Sequence, residues 1–303
     1  MKKVTLFFVS LMLVIFMIAC KSNEKITIIT PSGSAQLSIL HLQNETSSYD
    51  VTQVDGPSAL QSAFGSKSHD VILAPTNLGA KLYNLNNTTY RLLASVVFGN
   101  YYLVTKNQNI KDFNDLNGND VLLFGENSTS DYVCKYLFSK NQVHPIISYV
   151  NSVLLARNAL IEDNNKVVLL AEPQVSLVKE KIDNLTIIDL QVLYEEATNN
   201  TSYPQASVFV KDNLPESKIN KIKKDLADSI KRTNENASQA ADIAVSLNLG
   251  FPKSVLLSAI PLSNLGYKTG SDAKIVIEEY FNILAEFDEN VVGGKLPDDD
   301  FYI

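Results

Sequence analysis

The sequence predicts an α/β protein of two lobes that face each other across a cleft and are joined by two chain crossings. Three observations predict it. Short apolar runs alternate with helical patterns over 25–83, as in a parallel sheet covered by helices. The same alternation begins again at 121 and continues to 188. Between the two series, β-rich runs at 90–98 and 101–105 are separated only by Gly99-Asn100, and a further apolar run at 206–210 leads into a helical tail. The chain thus leaves a first lobe near Asn100 and returns near Ala206, which assigns 21–99 and 206–303 to lobe 1 and 100–205 to an inserted lobe 2. A chain of 303 residues is long enough for two such lobes.

In lobe 1, 25–30 (KITIIT) reads as a buried strand that ends in the turn Pro31-Ser32-Gly33-Ser34. Leu37, Leu40 and Leu42 then fall at broadly helical spacing and predict one helix over 35–43. A strand at 50–54 follows, and Gly56-Pro57-Ser58 opens a helix through Phe64, with proline near the first turn, where its missing N–H is not needed. The run DVILA at 70–74 is a third strand, broken by Pro75-Thr76-Asn77 before a helix at 78–83. In lobe 2, strands at 121–124, 146–150, 167–171 and 185–188 alternate with helices at 128–138, 152–161 and 173–181. The strand at 206–210 returns to lobe 1, and the tail reads as helical: 216–232, 237–247, 252–259 and 272–287.

With 45% hydrophobic and 19% charged residues, the composition is that of a globular protein and excludes a disordered or collagen-like chain. Twenty-six basic against thirty-three acidic side chains leave a net charge of −7, which gives no footprint for nucleic acid. Two cysteines, Cys20 and Cys134, exclude a disulfide framework and a cysteine-built zinc site. The N-terminus reads as an address at 1–20. Lys2 and Lys3 precede an apolar run at 4–19, Cys20 ends it and a polar stretch follows, the layout of a secretory signal. That run is short of the roughly 20 residues a spanning helix needs. Met17-Ile18-Ala19-Cys20 resembles a bacterial lipobox, in which Cys20 becomes the lipidated first residue, although Met17 stands where the box more often has Leu. An uncleaved anchor with an incidental cysteine is the alternative. The mature chain is expected on the extracytoplasmic face of the cell membrane, held by lipid, where ATP-driven or NAD-linked chemistry is out of place; no cofactor is expected.

The ordered series ITIITPSGSAQLSIL at 26–40, VDGPSALQSAFGSKSHDVILAPTNLGAKL at 54–82, FNDLNGNDVLLFGENSTSDYVCKYL at 113–137 and AEPQVSLV at 171–178, with the closing GGKLPDDDFYI, resembles the substrate-binding proteins of bacterial ABC importers. The branch it is most similar to is the nitrate/sulfonate/taurine and thiamine-precursor group. The resemblance covers nearly the whole mature chain and implies a type II periplasmic-binding-protein fold. It further implies a small-molecule solute, permease and ATPase subunits as partners, and a monomeric receptor.

In that group the solute is clamped between the lobes by strand-end loops and helix N-termini. Carried onto this chain, the resemblance points to Ser32, Gly33, Ser34 and Gln36, to Gly56 and Pro57, and to Pro75, Thr76 and Asn77 in lobe 1. It points to Ser128, Thr129, Ser130 and Glu172 in lobe 2, and to Asn100, Tyr101 and Tyr203 near the crossings. The residue types suit the task. Glycine and serine let backbone N–H groups face a ligand, hydroxyls and amides both donate and accept, and tyrosine adds flat apolar area with a polar end. Each also has a structural reading. Ser32, Ser58, Ser128, Thr76 and Asn77 suit helix caps, Glu172 suits the first turn of a helix, and Tyr101 and Tyr102 alternate, so only one can face the cleft. No arginine clamp stands among these residues, which favours a neutral or weakly charged, ring-bearing solute over nitrate or a sulfonate.

Catalytic patterns are sparse. His41, His69 and His144 are the only imidazoles and show no paired spacing, so a histidine-built zinc site is not expected. A precursor-making enzyme on the same fold would need a histidine or cysteine in the cleft, and His41 is its one candidate. An adhesion or signalling lipoprotein without transport is the other rival. Ser176-Leu-Val-Lys179 and Lys268-Thr269-Gly270 match two fragments of penicillin-recognising serine enzymes, but the second is expected ahead of a helix rather than in the strand that chemistry requires.

Overall fold

The computed structural model describes residues 24–199 and 202–303. The leader with Cys20 lies outside the described residues. Among those described, no helix is long and apolar enough to cross a membrane.

Two sheets form the frame. The first has strand order β11-β4-β10-β3-β1-β2, from β1 (Ile26–Pro31), β2 (Tyr49–Val54), β3 (Val71–Pro75), β4 (Arg91–Phe98), β10 (Pro204–Val210) and β11 (Leu265–Thr269). The second has order β7-β6-β8-β5-β9, from β5 (Tyr101–Thr105), β6 (Asp120–Phe124), β7 (Ile146–Val150), β8 (Val167–Ala171) and β9 (Thr186–Asp189). Both are mixed rather than wholly parallel. β1 pairs in parallel with β2 and β3, and β6 with β7 and β8, whereas β10 runs antiparallel between β3 and β4 and β5 antiparallel between β8 and β9. The antiparallel strands flank the crossings: the first passes directly from β4 to β5, and the second runs from β9 through a helix at Leu190–Ala197 to β10.

Three expectations need correction. The helix expected at 35–43 is two short helices, α1 (Ser34–Ser38) and α2 (Leu40–Asn44). The Ser229 hydroxyl explains the break: it donates to the Ser38 carbonyl at 2.8 Å and accepts from the His41 N–H at 3.3 Å, replacing helical bonds with bonds to a neighbouring helix. A further helix follows β9 at Leu190–Ala197, capped by Asp189, whose Oδ1 accepts from the N–H groups of Gln191 and Val192 at 2.8 and 3.3 Å. The tail is not wholly helical, since β11 pairs with β4 at the sheet edge, and Lys268 and Thr269 lie in that strand rather than ahead of it.

The remaining helices complete the numbering: α3 (Pro57–Ser66), α4 (Thr76–Asn84), α5 (Thr129–Lys140), α6 (Val153–Glu162), α7 (Gln174–Lys181), α8 (Leu190–Ala197), α9 (Glu216–Glu235), α10 (Ala237–Ser246), α11 (Lys253–Leu262) and α12 (Gly270–Phe287). One face of each sheet has its own core. Val71, Leu73 and Val208 pack under α2, α9 and α10, and Val168 and Leu170 pack under α6 and α7. The opposite faces share one continuous core, in which Ile72, Leu92 and Phe209 of the first sheet join Leu103, Val121 and Leu169 of the second.

Candidate functional site

A cavity of about 160 Å³ lies between the sheets. It is built from strand ends, the place where open α/β sheets put their loops. Pro31, Gly56, Pro75, Phe124, Asn151 and Glu172 stand at or just beyond the ends of β1, β2, β3, β6, β7 and β8, and all line it. The N-terminal turns of α1, α3, α5, α6 and α7 converge on the same space. Gly33 (φ +105°, ψ −151°) and Gly56 (φ +79°, ψ 166°) hold backbone conformations that only glycine populates readily. They occur where the lobes meet: a Cβ on Gly33 would stand 3.6 Å from the Glu172 carbonyl, and one on Gly56 3.8 Å from that of Asn151.

The polar wall is largely self-paired. Ser34 Oγ donates to the Glu172 carbonyl across the cleft at 3.1 Å and accepts from Asn100 Nδ2 at 2.6 Å. Gln205 accepts from the Asn100 N–H at 3.0 Å and donates to Asn100 Oδ1 at 2.7 Å. Ser128 and Ser130 donate to the carbonyls of Gly125 and Phe124 at 2.6 and 2.7 Å. Both carboxylate oxygens of Glu172 are bound to Ser176, one by its N–H at 3.1 Å and one by its hydroxyl at 3.0 Å. Glu172 is 2% exposed, and burial outweighs these bonds and pushes its carboxyl up to about 7.

Of the residues expected from sequence, Ser32, Gly33, Ser34, Gly56, Pro57 and Pro75 line the cavity from lobe 1. Tyr101, Ser128, Ser130 and Glu172 line it from the other side. Tyr102 points the other way, into the core under α6 and α7. The others stand behind the wall. Gln36 donates to Gln43 and Gln53 at 3.2 and 2.9 Å, and Thr76 pairs with Ser207 at 2.8 Å. Thr129 donates to Asn77 across the lobes at 2.9 Å, Asn100 sits in the Ser34–Gln205 network, and Tyr203 stacks on Tyr101 with centroids 5.9 Å apart. Sequence reasoning passed over the apolar part of the wall, including Leu60, Val97, Phe124 and Leu154, because these positions alternate like core residues.

None of the three histidines lines the cavity. His41 lies on α2 against α9, its Nε2 buried without a partner, and Cys134 is buried in the shared core, where burial pushes its thiol up. Among the described residues no group of histidine, cysteine and carboxylate side chains is placed to hold a metal ion.

Against known proteins, a family model described as menaquinone biosynthesis matches residues 42–285. No curated protein matches the sequence. Solved structures do match in fold. An ABC transporter protein from Parabacteroides distasonis superposes with a TM-score of 0.80 at 20% identity, over 92% of this chain and 98% of that one. The periplasmic aliphatic sulphonate binding protein of Escherichia coli gives 0.69 at 17% identity, over 92% of each chain. A Candida albicans gene product, described as having the generic periplasmic binding protein fold, gives 0.63 at 13% identity, over 91% of this chain and 92% of that one. The fold is therefore that of the periplasmic binding proteins.

Proposed function

The chain belongs to the menaquinone biosynthesis family, and from its fold and the pattern at 1–20 we propose that it is an extracytoplasmic lipoprotein that captures a small organic solute between its lobes and delivers it to an ABC importer. Within this reading Cys20 carries the lipid, 21–99 with 206–303 form one lobe, and 100–205 the other. The observation that carries it is the cavity between the two sheets, walled by residues of both and closed over by direct contacts such as Ser34 to Glu172. A solute touching both walls stabilises the closed form by its differential affinity, and the permease reads closure. The fold shared with importer proteins and the sequence pattern at 1–20 support the same reading.

A second reading, an enzyme acting on a precursor of the kind the family description implies, is favoured by the family match itself. It loses its one sequence candidate, because His41 lies away from the cavity. Glu172 is the wall's buried acid, and both its oxygens are engaged by Ser176.

Native mass spectrometry of residues 22–303 purified from cells, followed by denaturation, separates the readings. A stoichiometric solute released with unchanged mass after prolonged incubation supports capture. Conversion of the bound compound supports the enzyme, and an empty protein with no thermal response to a solute library rejects both. Fractionation of Cys20→Ser cells tests the anchor: the variant is expected to leave the membrane fraction.

A further inference from the structure

We infer that the captured solute is an uncharged compound carrying a flat ring, and that this cavity rejects anions of the same shape. The inference rests on the cavity being a solute site.

The wall contains no Lys, Arg or His among the described residues, so an anion would depend on helix N-termini. Several of those ends are partly taken. Asp131, fully buried in the first turn of α5, accepts from the Asn127 N–H at 2.9 Å and pairs with Lys135 at 2.8 Å. Glu172 takes the Ser176 N–H in the first turn of α7. α3 begins with Pro57, which has no N–H, and the Ser152 hydroxyl accepts from Leu155 at the start of α6. Two of the helix ends around the cavity therefore hold the protein's own carboxylates. A bound anion would be buried beside Glu172, which keeps part of its charge at neutral pH, with no basic side chain in the wall to offset its desolvation.

The shape is equally selective. Tyr101 and Phe124 meet edge to face at 6.0 Å and line the space together with Leu60. The volume of about 160 Å³ is close to the ~150 Å³ cavity known to admit benzene, so one ring with short substituents fills it.

Matched probes test this on protein freed of co-purified solute: benzamide against benzoate, and benzenesulfonamide against benzenesulfonate, titrated by calorimetry at neutral pH. The uncharged member of each pair is expected to bind at least about tenfold more tightly. Phe124→Leu is expected to weaken it several-fold while circular dichroism stays unchanged. Tighter binding of the anions, or release of an anionic solute on denaturation, overturns the inference and leaves the receptor reading intact. Binding of neither probe by a protein that also purifies empty removes the receptor reading and the inference with it. A released uncharged ring compound supports both.

Discussion

At the scale of single residues, Glu172 sets the pH response. The folded protein holds its carboxyl near 7 against an ordinary 4.5, because burial disfavours the charge more than the two Ser176 bonds favour it. Between those two pH values the folded chain keeps a proton on Glu172 that the unfolded chain has released, so the contribution of Glu172 to stability falls as pH rises from 4.5 to about 7 and is level above. The complete shift corresponds to about 3 kcal/mol. Glu172→Gln removes the charge and keeps the shape. The variant is expected to gain on the wild type by up to that amount above pH 7, with the gain disappearing below 4.5. Denaturant unfolding at both ends of the range measures it, and a difference independent of pH would show that Glu172 is ionised at little cost. The same residue illustrates what sequence can convey. Its place at a strand end before proline marks it as a first-turn acid, and its bond to Ser176 fits that reading. Its burial by Gly33 and Ser34 of the other lobe depends on a distant contact and leaves no local signal.

At the scale of elements, legibility follows how local the deciding interaction is. α3 is announced by Gly56-Pro57 and ends at Lys67 in a left-handed conformation, all within one short segment. The break between α1 and α2 is decided by Ser229 on α9, far along the chain, so the leucine spacing alone reads as one helix. β11 (LGYKT) is a half-exposed edge strand whose register is shifted against β4, and neither property makes an alternating pattern. α8 did carry a signal, Asp189 before an apolar-periodic run, that the adjoining strand obscured. The cavity wall divides the same way. Its serines and glycines stand out at strand ends, whereas Leu60, Val97 and Phe124 follow the periodicity of core positions and turn toward the cavity only because the second sheet faces them. Ser229 gives the element-scale prediction. It is fully buried, and its loss leaves the Ser38 carbonyl and His41 N–H without partners. Ser229→Ala is expected to cost about 1–3 kcal/mol in chemical denaturation, with little change in solute affinity because the break lies away from the cavity. A neutral result would mean that α1 and α2 rejoin as one helix.

At the scale of the whole molecule, the lobes are fastened differently at the front and the back. Around the cavity they meet through polar contacts, such as Ser34 to the Glu172 carbonyl, and at the surface through Ser254 to Glu180 at 3.1 Å. Behind it the contact is apolar and continuous. Tyr280 of α12 packs from lobe 1 against Tyr194 and Tyr203, which with Tyr101 form a tyrosine cluster on the lobe 2 side, and the buried Thr129–Asn77 bond crosses between the lobes. Separating the lobes at the front exchanges hydrogen bonds for water at modest net cost, whereas separating them at the back exposes aromatic surface, so opening at the front is expected to cost less than parting the tyrosine seam. One core spanning both sheets also couples their unfolding, since neither lobe can melt without uncovering its share of that core. Scanning calorimetry of the solute-free protein is accordingly expected to show one transition, with calorimetric and van't Hoff enthalpies in agreement. A solute at about a hundredfold excess over its Kd should raise that transition as a unit, by close to 2.7 kcal/mol of added stability. Two resolved transitions, only one of them moved by solute, would mean that the lobes fold as independent bodies and that the seam is a contact of the closed form rather than a common core.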